Sequence, residues 1–126
     1  MVRKNIVAPN NLPFSKAVIH ESKYTMEISG QIGLDSNGKL VDGIENQTRQ
    51  TMQNVKDILE EVGWNFDNLV KVRIFLSDIK DYVQVNEIYS KCFESNFPAR
   101  VALAVKDLPL GALIEIDATA AGDRLN

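Results

Sequence analysis

Two hydrophobic periods succeed one another along this chain, and their order restricts the fold more than any other feature. From Tyr24 the pattern has period two. Tyr24, Met26, Ile28, Gly30 and Ile32 fall on one side, with Thr25, Glu27, Ser29 and Gln31 on the other. Ile44, Thr48, Met52, Val55, Leu59 and Val62 then recur at helical spacing, and Gly63 follows as a stop. Period two returns over Leu69 to Ser77, where Val70, Val72, Ile74 and Leu76 oppose Leu69, Lys71, Arg73 and Phe75. A second helical stripe begins near Asp78 with Tyr82, Val85, Ile88, Tyr89, Cys92 and Phe93, and Pro98 closes it. Two further alternating segments, Arg100 to Lys106 and Leu113 to Ala120, are separated by the turn Leu108-Pro109-Leu110-Gly111.

This order predicts an α+β fold: a mixed β-sheet with two helices packed on one face. A short strand over Ala17 to His20 precedes the first long one, after an irregular entry from Ala8 to Phe14. Each strand–helix–strand crossover favours parallel pairing, and the turn at Gly111 favours an antiparallel hairpin of the last two strands. Asp42 and Glu45 have the spacing of a capping box for the first helix. The sheet face away from the helices carries small, polar and charged residues. That suits either solvent or contact with other subunits.

The chain has 126 residues, and no repeat, linker or low-complexity run divides it, so residues 1–126 are expected to form a single domain. Cys92 and His20 stand alone in their residue types, which excludes a disulfide framework and a His/Cys-rich metal site. A net charge of −3 argues against a broad nucleic-acid surface. No segment approaches the ~20 apolar residues of a membrane span. The polar start, Met1-Val2-Arg3-Lys4-Asn5, does not lead into a signal-like apolar run, so a cytoplasmic, reduced compartment is expected. Neither a dinucleotide-binding glycine motif nor a P-loop occurs.

Chemistry concentrates in the C-terminal third. Arg100 carries a planar fork suited to a carboxylate, and Glu115 can orient a water or take its proton. Placed in one hairpin, they serve equally as a structural cross-strand salt bridge. Ser29 stands on a polar strand face beside Gly30, where a backbone can approach a ligand closely; a plain surface serine in a tightly packed strand fits as well. Asn86 flanks the second helical stripe, as a site residue or as a tie to a neighbouring loop. Cys92 reads as a buried, inert thiol and His20 as a residue without a partner. Lys71 and Arg73 read as a solvated basic pair.

Several segments taken together go further. Pro13-Phe14-Ser15-Lys16-Ala17, Ile28-Ser29-Gly30-Gln31-Ile32, Asn54-Val55, Val85-Asn86-Glu87-Ile88-Tyr89, Phe97-Pro98-Ala99-Arg100 and Ile114-Glu115-Ile116-Asp117-Ala118 occur in an order and spacing that resembles the RidA/YjgF family of reactive-intermediate deaminases. The resemblance extends from about Pro9 to Ala121. It implies a chorismate-mutase-like fold, a homotrimer with sites in the clefts between subunits, and hydrolysis of 2-imino acids to 2-keto acids and ammonia. It implies neither a metal nor an organic cofactor. Carried onto this chain, Arg100 would hold the substrate carboxylate and Glu115 the attacking water. Phe14, Ser29, Gly30, Asn86 and the backbone of Ala102 would line the pocket. Two positions depart from the pattern: active deaminases of the family often have tyrosine at the position of Phe14 and cysteine at that of Ala102. A noncatalytic ligand-binding or regulatory member, and a ribonuclease or translation inhibitor, are the competing readings.

Overall fold

The computed structural model describes residues 1–126. Its strands are β1 (Val2–Val7), β2 (Ser15–Glu21), β3 (Tyr24–Gln31), β4 (Leu69–Leu76), β5 (Ala99–Ala104) and β6 (Ile114–Gly122), and its helices are α1 (Ile44–Glu60) and α2 (Tyr82–Ser90). All six strands join one sheet in the order β1-β2-β5-β4-β6-β3. β4 and β5 are parallel, as the α2 crossover requires, while β4–β6, β3–β6 and β1–β2 are antiparallel. The α+β architecture with a mixed sheet and two helices is the one the periodicity predicts.

One side chain in two along the central strands faces the helices. Val72, Ile74, Leu76, Ile114, Ile116, Ala118 and Ala120 are buried there against Met52, Val55 and Leu59 of α1 and Val85 and Tyr89 of α2. The buried stripe of α1 steps by four, three and four residues from Thr48 to Leu59, the spacing of one helix face. Trp64 closes one end of this core: its ring lies on Gly122, where a Cβ would stand 2.8 Å from the indole, and its Nε1 donates to the Arg124 carbonyl at 2.7 Å.

The C-terminal strands do not form the expected hairpin. β4 lies between β5 and β6, because α2 returns the chain beside β4 on one flank and the connection from Val105 to Leu113 then steps over the end of β4. Two backbone bonds pin that step: Val105 N–H donates to Leu76 O at 2.8 Å and Ser77 N–H to Leu113 O at 3.1 Å. The start of α1 also differs. Gly43, at φ 82°, is the N-cap, and no side chain caps the helix, so Asp42 and Glu45 form no capping box.

β1 is absent from the sequence reading because its polarity is inverted. Arg3 and Asn5 point to the helix side, where polar residues would not be expected. Arg3 donates to the carbonyls of Asp67 and Leu69 at 2.9 and 3.0 Å, and Asn5 Nδ2 to Asn96 Oδ1 at 2.7 Å. Those bonds replace an apolar core contact with satisfied carbonyls.

Candidate active site

Arg100 sits on β5 opposite Val72 of β4. Residues opposite in register share a sheet face, so Arg100 points to the helix side with the buried Val72. There its guanidinium enters a cage of aromatic rings: Cζ is 5.1 Å from the centroid of Tyr89, 5.6 Å from Phe14 and 5.8 Å from Tyr82. Nη2 donates to Tyr82 Oη at 3.2 Å. Nη1 is buried and has no acceptor.

Local clips hold the cage together. Ser15 N–H donates to Pro98 O at 3.0 Å, and Ser15 Oγ to Phe97 O at 2.6 Å, which docks the segment bearing Phe14 against the turn before Arg100. β2 pairs with β5 only at Ser15 and Ala99, so the outer edge of β5 from Arg100 through Ala102 to Ala104 has no strand partner. Tyr82, Asn86 and Tyr89 recur at helical spacing on α2 and share one face. Asn86 Oδ1 and Tyr89 Oη are also buried without partners. Burial pushes the Tyr89 hydroxyl pKa well up, against a smaller opposing pull from the Arg100 cation, so this hydroxyl stays protonated. Helical periodicity alone puts both tyrosines in the apolar stripe. Their alignment with Asn86 at helical spacing was the available signal.

Glu115 lies elsewhere. It is opposite Phe75, three residues along β4 from Val72, and so points to the open sheet face. Arg100 and Glu115 therefore stand on opposite faces, not on the shared exposed face that counting alternation suggests. Two strand spacings across and three residues along separate their Cα atoms by ~14 Å. They form no salt bridge; the ion pair of this face is Arg73–Asp117 at 2.9 Å. Around Glu115 the β3–β6 register shifts between Ile28 and Gln31. That bulge turns Gly30 onto the Glu115 side chain: a Cβ on Gly30 would lie on its carboxylate, 2.9 Å from Cδ. The neighbouring Ser29 is exposed.

The predicted residues thus form two groups. Phe14, Asn86, Arg100 and Ala102 gather at α2 and the edge of β5, whereas Ser29, Gly30 and Glu115 gather on the open face. A cavity of about 290 Å³ bordered by Asn11, Pro13, Tyr82 and Asn86 opens beside the first group. No three His, Cys, Asp or Glu side chains converge to hold a metal ion.

Comparison with known proteins identifies the family. The model of the family described as endoribonuclease L-PSP matches residues 5–122. The chain belongs to this family, which includes the RidA/YjgF proteins. It is 47% identical over 110 residues to the human 2-iminobutanoate/2-iminopropanoate deaminase, covering 86% of this chain and 79% of the relative. It is 47% identical over 111 residues to a RutC family protein of Aquifex aeolicus, covering 86% and 87%. The crystal structure of RidA from the Antarctic bacterium Psychrobacter sp. PAMC 21119 superposes with a TM-score of 0.76 at 32% identity, covering 90% of each chain.

Proposed function

We infer that this chain is a 2-imino acid deaminase, which hydrolyses enamine-derived imines such as 2-iminobutanoate and 2-iminopropanoate to 2-keto acids and ammonia. The observation that carries this reading is the caged Arg100 with a buried, unused Nη1, within a family member 47% identical to a deaminase of that name. A buried guanidinium nitrogen lacking an acceptor is prepared for an anion such as a carboxylate.

The opposite-face placement of Arg100 and Glu115 supports a site shared between subunits. One protomer offers Arg100, Phe14, Asn86 and the main chain of Ala102. A second offers Glu115, Gly30 and Ser29 from its open face. The assembly is a homotrimer, in which a heterologous contact repeats and closes as a ring. In each site Arg100 fixes the substrate carboxylate, which sets the imine carbon one bond beyond it. Glu115 of the neighbouring subunit accepts a proton from water as the new O–C bond forms. That proton passes to nitrogen to give a carbinolamine; as the C–N bond breaks, the remaining hydroxyl proton is relayed to nitrogen through the same carboxylate, so imine and water become 2-keto acid and ammonia. This chemistry uses the chain's own side chains. The polar face balances Lys71 and Arg73 against Glu27, Glu115 and Asp117, which does not suit a phosphate backbone and disfavours the ribonuclease reading. Release of both keto acid and ammonia from freshly generated 2-aminoacrylate, faster than in buffer, is the expected result. Binding of 2-keto acids without any acceleration would instead establish a noncatalytic member.

A further inference from the structure

Tyr82 stands at the Arg100 guanidinium as neither of the other two rings does. Its hydroxyl is bonded to Arg100 Nη2 at 3.2 Å. Phe14 has no hydroxyl, and the Tyr89 hydroxyl is buried without a partner. A phenol oxygen that accepts from a guanidinium still has its own proton to give. The adjacent cation polarises the O–H bond and makes it a stronger donor. Three donors of the cage are therefore unspent, Arg100 Nη1 and the O–H groups of Tyr82 and Tyr89; of the two hydroxyls, only that of Tyr82 is joined to the guanidinium and belongs to a residue bordering the neighbouring cavity.

We propose that Tyr82 is a substrate-binding residue whose hydroxyl donates to one oxygen of the 2-imino acid carboxylate while Arg100 holds the other. The ligand's identity rests on the deaminase reading; the donor pair does not. A carboxylate satisfies both donors. An amide presents one carbonyl oxygen and adds an N–H, so it leaves one donor empty and is discriminated against. Tyr82 and Asn86, but not Arg100, border the cavity of about 290 Å³, so the cage meets that space on its Tyr82 side.

The ring of Tyr82 is placed without help from its hydroxyl. It is the first residue of α2, directly after a 3₁₀ turn over Ile79–Asp81 whose Lys80 N–H donates to the Asp78 carboxylate at 2.9 Å. Tyr82→Phe therefore keeps the ring and the cation–π contact and removes the hydroxyl, both as a donor to the ligand and as the acceptor of Arg100 Nη2; loss of the acceptor alone would weaken acid and amide alike. Phe14 offers a matching position on the cage, its centroid 5.6 Å from Cζ against 5.8 Å for Tyr82. A hydroxyl added there restores a phenol to a ring at a similar distance from the guanidinium.

The test uses the whole chain in its assembled state, with kinetics on freshly generated 2-iminobutanoate and calorimetric titration of the stable keto acid 2-oxobutanoate and of its amide. In Tyr82→Phe, KM for the imine and Kd for 2-oxobutanoate rise about tenfold. The expected kcat changes less than twofold, the melting temperature is unmoved and amide binding is unaltered. Adding Phe14→Tyr to Tyr82→Phe recovers most of the lost affinity. An unchanged Kd for 2-oxobutanoate in folded Tyr82→Phe overturns the proposal, as does an equal loss for acid and amide. A wild-type chain that binds 2-oxobutanoate through Tyr82 but deaminates nothing refutes the reaction and keeps the Tyr82 assignment.

Discussion

Arg100 and Glu115 have been left different work by their neighbours. Arg100 is immobilised by three rings and one hydroxyl, so in the proposed site it acts by geometry. Arg100→Lys retains the charge and loses the fork; KM for 2-imino acids rises ~10–100-fold with a smaller change in kcat. Glu115→Gln keeps shape and loses the proton acceptor, so kcat falls ~100–10,000-fold with KM little altered. Steady-state kinetics on both variants, with a melt of each to verify folding, separates the two roles. Gly30→Ala is more specific still. The new methyl displaces a movable carboxylate rather than backbone, so turnover falls ~10–100-fold while stability shifts by about 0.5 kcal/mol or less. At this scale the sequence disclosed which residue types carry chemistry. It did not disclose their faces, because parity along one strand has no meaning until register with the next is known, and the bulge at Gly30 breaks parity altogether.

At the scale of elements, α1 is fastened to the sheet by polar side chains rather than by its apolar stripe alone. Gln47 is buried, and its Oε1 accepts from Leu113 N–H at 2.8 Å just before β6. Asn54 Nδ2 donates to the carbonyls of Ile32 and Leu34, both at 3.0 Å, securing the exit from β3. Gly33 permits that approach, since a Cβ there would lie 3.0 Å from Gln47 Cα. Gln47→Ala strands the Leu113 N–H and costs about 1–3 kcal/mol, visible as a lower urea midpoint at constant slope, with KM unaffected. Most elements were legible because apolar residues repeat with the right period: α1, β3, β4 and β6 follow their patterns, while β5 alternates with its apolar Val101 and Leu103 on the exposed face. β1 was not, since its helix-side residues, Arg3 and Asn5, satisfy carbonyls instead of filling core. The pairing of β5 was misread because the turn at Gly111 is a local signal, whereas the step over β4 is set by where α2 returns the chain.

For the whole molecule, the decisive arrangement is one sheet with the caged guanidinium of Arg100 on one side and the carboxylate of Glu115 on the other. If two copies complete each site, inactive variants complement each other. An equimolar, co-refolded mixture of Arg100→Ala and Glu115→Ala chains forms some sites with both residues intact, roughly one in four for random assembly into a ring. Recovery of about a quarter of wild-type activity, with light scattering at trimer mass, is expected; a mixture as inactive as its components would place both residues in one protomer's own site. Aromatic residues are divided in the same spirit. The lone tryptophan, Trp64, is buried on Gly122 and tethered to the Arg124 carbonyl, whereas phenylalanine and tyrosine surround Arg100. Light therefore reads two events independently: the indole emission band moves to the red when the C-terminal segment lets go, and the phenolic absorption near Arg100 changes when an anion arrives.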